Sequence, residues 1–248
     1  MTYSKSFSKG IMVLLLVSFS SVGAAQAPSL SNRLLLASPY AIEVDEELTS
    51  YMTHLAESTI AESCQDCHGS DLEGQLGVPN LVDYDWLWGV TGLEMNSVEP
   101  VMEIMQTILY GVRNEDCPED IKQYGACPDT RFSQMPGYGA QRYSEKEIND
   151  FVEYVVNLSG GEADEAAVAR ISDQWLVCAE CHGEQGYGYK PFGGPDLSDD
   201  IWLFGNSREQ IYDVIYHGRT QKCPAWSESL DATTIKALAV YIYNKSQQ

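Results

Sequence analysis

Cys64-Gln65-Asp66-Cys67-His68 and Cys178-Ala179-Glu180-Cys181-His182 carry the same five-residue pattern, C-x-x-C-H. Two thiols at that spacing can add across the two vinyl groups of one haem, while the adjoining imidazole reaches its iron. A zinc site or a dithiol redox pair would also use closely spaced cysteines. Neither explains a histidine directly after the second cysteine in both copies, and two copies in one chain exclude coincidence. The pattern points to two covalently bound haem c groups. Cys64 and Cys67 would carry the first and Cys178 and Cys181 the second, with His68 and His182 as proximal iron ligands.

The elements that must position these residues also come in two copies. Pro79-Asn80-Leu81 and Trp86-Leu87-Trp88-Gly89 answer Pro195-Asp196-Leu197 and Trp202-Leu203-Phe204-Gly205. Ile108-Leu109-Tyr110 with Arg113 answers Val214-Ile215-Tyr216 with Arg219, and Met135-Pro136-Gly137-Tyr138 answers Cys223-Pro224-Ala225-Trp226. Each half closes on a helical pattern, Ser144 to Leu158 and Asp231 to Asn244. Their apolar residues fall at helical spacing: Ile148, Phe151, Val152 and Val155 in one, Ile235, Leu238, Ala239 and Ile242 in the other. Ser144 with Glu147 reads as a capping box. No strand-rich segment is evident, so the fold class expected is all-α. Ser159-Gly160-Gly161 marks the boundary between the halves. The expected organisation is a leader at 1–27, a tether at 28–44, a first domain at 45–160 and a second at 161–248. A buried porphyrin would supply much of the interior that domains this small lack.

Lys5 and Lys9, the apolar run from Ile11 to Phe19 and the small-x-small site Ala25-Gln26-Ala27 read as a cleaved export signal. That run covers nine residues, well short of the roughly twenty that cross a bilayer. The expectation is a periplasmic protein with no transmembrane helix in the mature chain, the alternative being retention by an uncleaved N-terminal anchor. No cysteine stands at the cleavage point to take a lipid. The formal charge of −21 repels nucleic acid and anionic lipid and steers basic partners toward the chain; a solubilising role alone would also explain it.

Of the seven cysteines, four are used by the motifs. Arg113 to Met135 spans 22 positions, whereas Arg219 to Cys223 spans 4, so the first half carries an insertion before Met135. Cys117 and Cys127 lie within it and can close a disulfide that ties down the loop. Cys223 is left without a partner.

From about residue 60 onward the chain resembles the dihaem subunit of cbb3-type cytochrome oxidases, a tandem of class I cytochrome c domains. The resemblance rests on Pro79-Asn80-Leu81, Trp86-Leu87-Trp88-Gly89, Arg131-Phe132-Ser133-Gln134-Met135-Pro136, His217-Gly218-Arg219 and Pro224-Ala225-Trp226. The chain departs from that family in lacking N-terminal membrane helices and in carrying Cys223 where the family has a second methionine.

The resemblance implies that the carbonyls of Pro79 and Pro195 accept a hydrogen bond from each proximal imidazole, fixing its orientation. It makes Met135 the distal ligand of the first haem, Met95, Met102 and Met105 being core residues. Cys223 then stands as distal ligand of the second haem. The alternatives are a free thiol beside five-coordinate iron, His217, or Lys222 on reduction. Thiolate stabilises ferric iron. A displacement on the order of 300 mV, roughly 7 kcal/mol, would place the second haem below the first. Arg113 and Arg219 are candidates for haem propionates, and Trp86 and Trp202 for packing near the haems. His54 reads as a surface histidine.

The function expected is electron transfer between redox partners: a cytochrome, a copper protein, or a terminal oxidase or reductase. The alternative is an oxidoreductase of the thiosulfate dehydrogenase type with the Cys-ligated haem as its active site.

Overall fold

The computed structural model describes residues 27–88, 98–122, 126–139 and 142–248. The segment expected to be an export signal, apart from Ala27, lies outside them, as do Gly89 and Met95. Among the described residues ten α-helices are formed: α1 Leu30–Leu36, α2 Pro39–Glu43, α3 Glu46–Thr59, α4 Gln65–His68, α5 Val98–Tyr110, α6 Glu145–Leu158, α7 Glu165–Ile171, α8 Leu176–His182, α9 Arg208–His217 and α10 Ala232–Ser246. Among the described residues β-pairing is limited to isolated bridges. The all-α expectation is met.

The starts of the long helices follow from local chemistry. Ser144 accepts from the Glu147 amide and Glu147 reaches back to the Ser144 amide, the capping box read from the sequence. Ser207 and Gln210 repeat the device on α9. Asp231 accepts from Thr233 and Thr234 to open α10, and Asp45 from Glu47 and Leu48 to open α3.

Two cores form, and they do not divide the chain at residue 160. One is built from α1–α3, α5 and α10, with Leu34, Met52, Ile104, Leu238 and Val240 buried together. The other takes α6, α7 and α9, with Phe151, Val152, Ile171, Trp175, Ile211 and Ile215. The last helix of each half therefore packs with the other half. A cut at 160 would part α6 from the α7 and α9 it packs against, and α10 from α3 and α5. The helical patterns permit either pairing, because each apolar stripe is complementary to both copies of the repeat.

Ion pairs bind α6 to its new neighbours. Asp150, buried on α6, meets Arg170 on α7 at 2.7 and 3.0 Å, and Glu153 holds Arg208 on α9 at 2.6 and 3.0 Å.

Residues 28–44 also depart from expectation. They form α1 and α2 rather than a tether, and Leu34 and Ile42 are completely buried in the first core. Ser31 Oγ lies 2.9 Å from Thr233 Oγ1 on α10, and Lys236 donates to the Leu35 carbonyl at 2.7 Å.

Candidate haem sites

Both attachment motifs end a helix against a left-handed glycine. A π-helical turn, Ile60–Cys64, leads from α3 into α4, and Gly69 follows His68 with φ +80°. A 3₁₀ turn, Ser172–Gln174, leads toward α8, and Gly183 follows His182 with φ +78°. Irregular helical turns of this kind re-aim side chains and gather at functional sites. Cys64, Cys67, Cys178 and Cys181 are free thiols.

His68 Nδ1 lies 3.0 Å from the Pro79 carbonyl, and His182 Nδ1 lies 3.0 Å from the Pro195 carbonyl. A carbonyl only accepts, so each Nδ1 carries the proton and each Nε2 keeps its lone pair. Burial pushes both imidazoles below their usual pKa, against the opposing pull of the proline carbonyl. Each stays neutral and aimed, the state in which imidazole binds a metal.

Around the second motif lies a small apolar cavity of about 30 Å³. Cys178, His182, Met135, Tyr138, Phe151 and Leu197 are among its walls. Burial pushes the Cys178 thiol up to about 12. One thiol of the motif, a neutral imidazole, a thioether and apolar walls line it, the kinds of donor and surface that covalently held haem needs.

Met135 is thus brought to His182, not to His68. Its segment is fixed there by α9: Met135 and Arg219 exchange backbone bonds at 3.3 and 2.8 Å, and the amides of Tyr138 and Gly139 donate to Ile215 and Tyr216 at 2.9 and 3.0 Å. Cys223 makes the reciprocal crossing. It exchanges backbone bonds with Val112 at 2.9 and 3.1 Å, and the Trp226 amide donates to Ile108 at the end of α5 at 3.0 Å. There the charges of Cys64 and Cys67 reach its thiol, which burial pushes up to about 11. Arg113 pulls it the other way. The chain-order pairing of distal residues with motifs is therefore corrected. Each loop leaves its own half and lies over the motif of the other.

The close approach depends on two glycines, Gly218 of the His217-Gly218-Arg219 stretch and Gly111, neither of which had been given a structural role from sequence. Gly111 and Gly218 occupy equivalent places in the repeat, with φ +71° and +72°. A Cβ on Gly111 would strike the Cys223 carbonyl, and one on Gly218 the Met135 carbonyl. Each stands directly after the last residue of its helix, Tyr110 of α5 or His217 of α9, and that shared place was the available signal.

The other candidates fall as follows. Trp86 packs on the first core and Trp202 on the second, each beside its own motif. Arg113 donates to the carbonyls of Ser133 and Gln221. Arg219 donates to Asp213 Oδ2 at 2.5 Å and to the Gly218 carbonyl at 2.7 Å. His217 is exposed and stands 3.6 Å from Asp213, while Lys222 pairs with Glu115 at 2.8 Å. Both alternatives to Cys223 are thereby engaged elsewhere. Cys117 and Cys127 sit with Cα atoms 5.8 Å apart and their sulfurs in bonding geometry. Met102 is exposed whereas Met105 packs on the first core, so only Met105 of that pair is a core residue. His54 lies on the exposed face of α3.

The family model for cytochrome c oxidase, cbb3-type, subunit III, matches residues 163–242. Over 216 residues the chain is 36% identical to the cbb3-type cytochrome c oxidase subunit FixP of Bradyrhizobium sp., covering 85% of this chain and 67% of that one. Over 227 residues it is 32% identical to subunit CcoP of Rhodobacter capsulatus, covering 87% and 70%. The chain belongs to the CcoP/FixP family of cbb3-type oxidase subunits. CcoP of Cereibacter sphaeroides is 34% identical over 205 residues, which cover 82% of this chain but 64% of that relative. The chain thus spans about two thirds of the length of these relatives. Membership in this cytochrome c family implies covalently bound haem c. No described helix is long and apolar enough to cross a membrane.

Proposed function

We propose that this chain is a periplasmic dihaem cytochrome that passes electrons one at a time to or within a cbb3-type terminal oxidase. The observation that carries this reading is that Met135 and His182 line the same apolar cavity, so that a thioether and an imidazole would both hold the iron of a haem bound there and leave no place for a substrate. Haem c, when bound, supplies the one-electron couple. The residues of the chain do the rest. His68 and His182 would hold the metal from one side, made more basic by Pro79 and Pro195. Met135 would close the second site with a soft thioether, favouring the reduced state, and Cys223 the first with a thiolate, favouring the oxidised one. The lower potential accordingly belongs to the motif of Cys64 and Cys67, the reverse of the order along the chain.

The crossing supports a relay as well. The loop that closes each site is anchored in the half that carries the other, so the two sites are held in one framework. The acidic surface, with a formal charge of −21, favours a basic electron donor. Partners of this kind include a small cytochrome, a copper protein or another subunit of the oxidase.

The test is a haem count by pyridine haemochrome, a redox titration, and oxidation of the reduced protein by membranes containing a cbb3-type oxidase. Two haem c per chain, two separated potentials and rapid oxidation are expected. One haem per chain, or steady turnover of thiosulfate that depends on Cys223, would overturn the proposal.

A further inference from the structure

The two distal loops meet at one place, Val112-Arg113. Val112 bridges to Arg131 on one side and to Cys223 on the other. The Arg113 amide donates to the Arg131 carbonyl at 3.0 Å. Its side chain then divides: Nη1 donates to the Ser133 carbonyl and Nε to the Gln221 carbonyl. Ser133 stands two residues before Met135, and Gln221 two residues before Cys223. A single guanidinium grips both loops at the same remove from the residue each presents.

Two further observations separate this arrangement from a general surface contact. Arg113 has φ +52°, a left-handed backbone that residues with a side chain rarely adopt and that concentrates at functional positions. Thr220, which follows Gly218 at the distance at which Arg113 follows Gly111, lacks this conformation and carries no guanidinium. Arg219, one residue before it, folds its guanidinium back on the end of α9, onto Asp213 and the Gly218 carbonyl. The bridging geometry is therefore not a requirement of the repeated fold. It belongs to the first copy alone, where a planar fork of donors holds two acceptors in one fixed geometry.

We propose that Arg113 is a positioning residue that sets both distal ligands together, so that a displacement at one haem site is felt at the other. This rests on the assignment of Met135 and Cys223 as distal ligands. It also replaces the expected propionate contact, which would touch one haem only.

The experiment uses the full-length holoprotein in its ferric form, with imidazole as a competing ligand, and the midpoint potentials of both haems. Arg113→Asn removes the fork while tolerating the left-handed backbone. The expected result is about a tenfold rise in imidazole affinity at both haems, the scale of one lost charge-assisted bond per loop, with both potentials moved. Arg113→Lys keeps the charge without the fork and should leave at least one haem as open to imidazole as Arg113→Asn does; it also carries the test if the asparagine variant fails to load haem. A change confined to one haem in Arg113→Asn, or none in either variant, overturns the proposal. The ligand assignment beneath it fails in a different way. If the methionine signature survives Met135→Ala, or the thiolate signature survives Cys223→Ala, that assignment is wrong and the clamp falls with it.

Discussion

Val112 and Cys223 exchange both of their backbone hydrogen bonds, at 2.9 and 3.1 Å, although nearly half of the chain lies between them. Met135 and Arg219 form the matching pair in the opposite direction, at 3.3 and 2.8 Å. These two couples place the Cys223 loop over the motif of Cys64 and Cys67 and the Met135 loop over the motif of Cys178 and Cys181.

Ligand exchange gives a direct test. Replacing Cys178 and Cys181 together by alanine leaves the first attachment motif alone. That variant should keep the electron paramagnetic resonance signature of a thiolate-bound ferric haem and lose the methionine one. Pairing in chain order requires the reverse. In the intact protein Cys223→Met should raise the lower potential by about 100 mV or more, roughly 2 kcal/mol, within the span axial ligands command.

Gly218→Ala should destabilise the protein by about 2 kcal/mol or more, because a left-handed backbone and a collision with the Met135 carbonyl act together. Gly160 has φ +76°, and no atom lies within 4 Å of the place an alanine methyl would take. Gly160→Ala should therefore cost only about 1 kcal/mol. Urea denaturation of the two variants compares them directly.

Asp150 supplies the pH dependence. Hydrogen bonds from Arg170, with help from Lys146, hold its carboxyl down at about 2 despite burial. A carboxyl lowered in the folded state stabilises above its ordinary range, near 4, and loses that contribution as pH falls toward 2. Both cations face solvent, which weakens them, so about 1–2 kcal/mol should disappear across that interval. Urea midpoints measured from pH 5 to pH 2 should fall less steeply in Asp150→Asn.

Cutting the chain at residue 160 separates α10 from α3 and α5. A fragment of residues 28–160 should show little helix by far-ultraviolet circular dichroism, and adding residues 161–248 should restore it. Two independently folded fragments would contradict the interleaved cores.

Unreduced mass spectrometry should find Cys117 joined to Cys127. Replacing both by serine should lower stability by about 2–3 kcal/mol, the scale for a loop of this length.

Much of this was legible in the sequence. The two motifs named their own cysteines and histidines, Pro79 and Pro195 stood where the imidazoles needed acceptors, and Ser144 and Asp231 announced the helices that follow them. What was not legible was which copy of the repeat each loop would join. A repeat states that Met135 and Cys223 are equivalent, but equivalence is the same whether the loops stay or cross. The stripe on α10, with Leu238 and Val240, fits either core. Only long-range backbone pairing distinguishes the two, and that pairing leaves its trace in glycines whose need for close approach is invisible until the partner is known. Leu34 and Ile42 were passed over for a related reason: α1 and α2 are too short for their periodicity to stand out.

The interleaving also sets an order of completion. A chain made from its N-terminus delivers Cys64, Cys67 and His68 early, whereas Cys223 and α10, which close that side, emerge last. The second pocket draws its walls from residues 135 to 215 and has them all sooner. The site that begins first is finished last, only when α10 has docked.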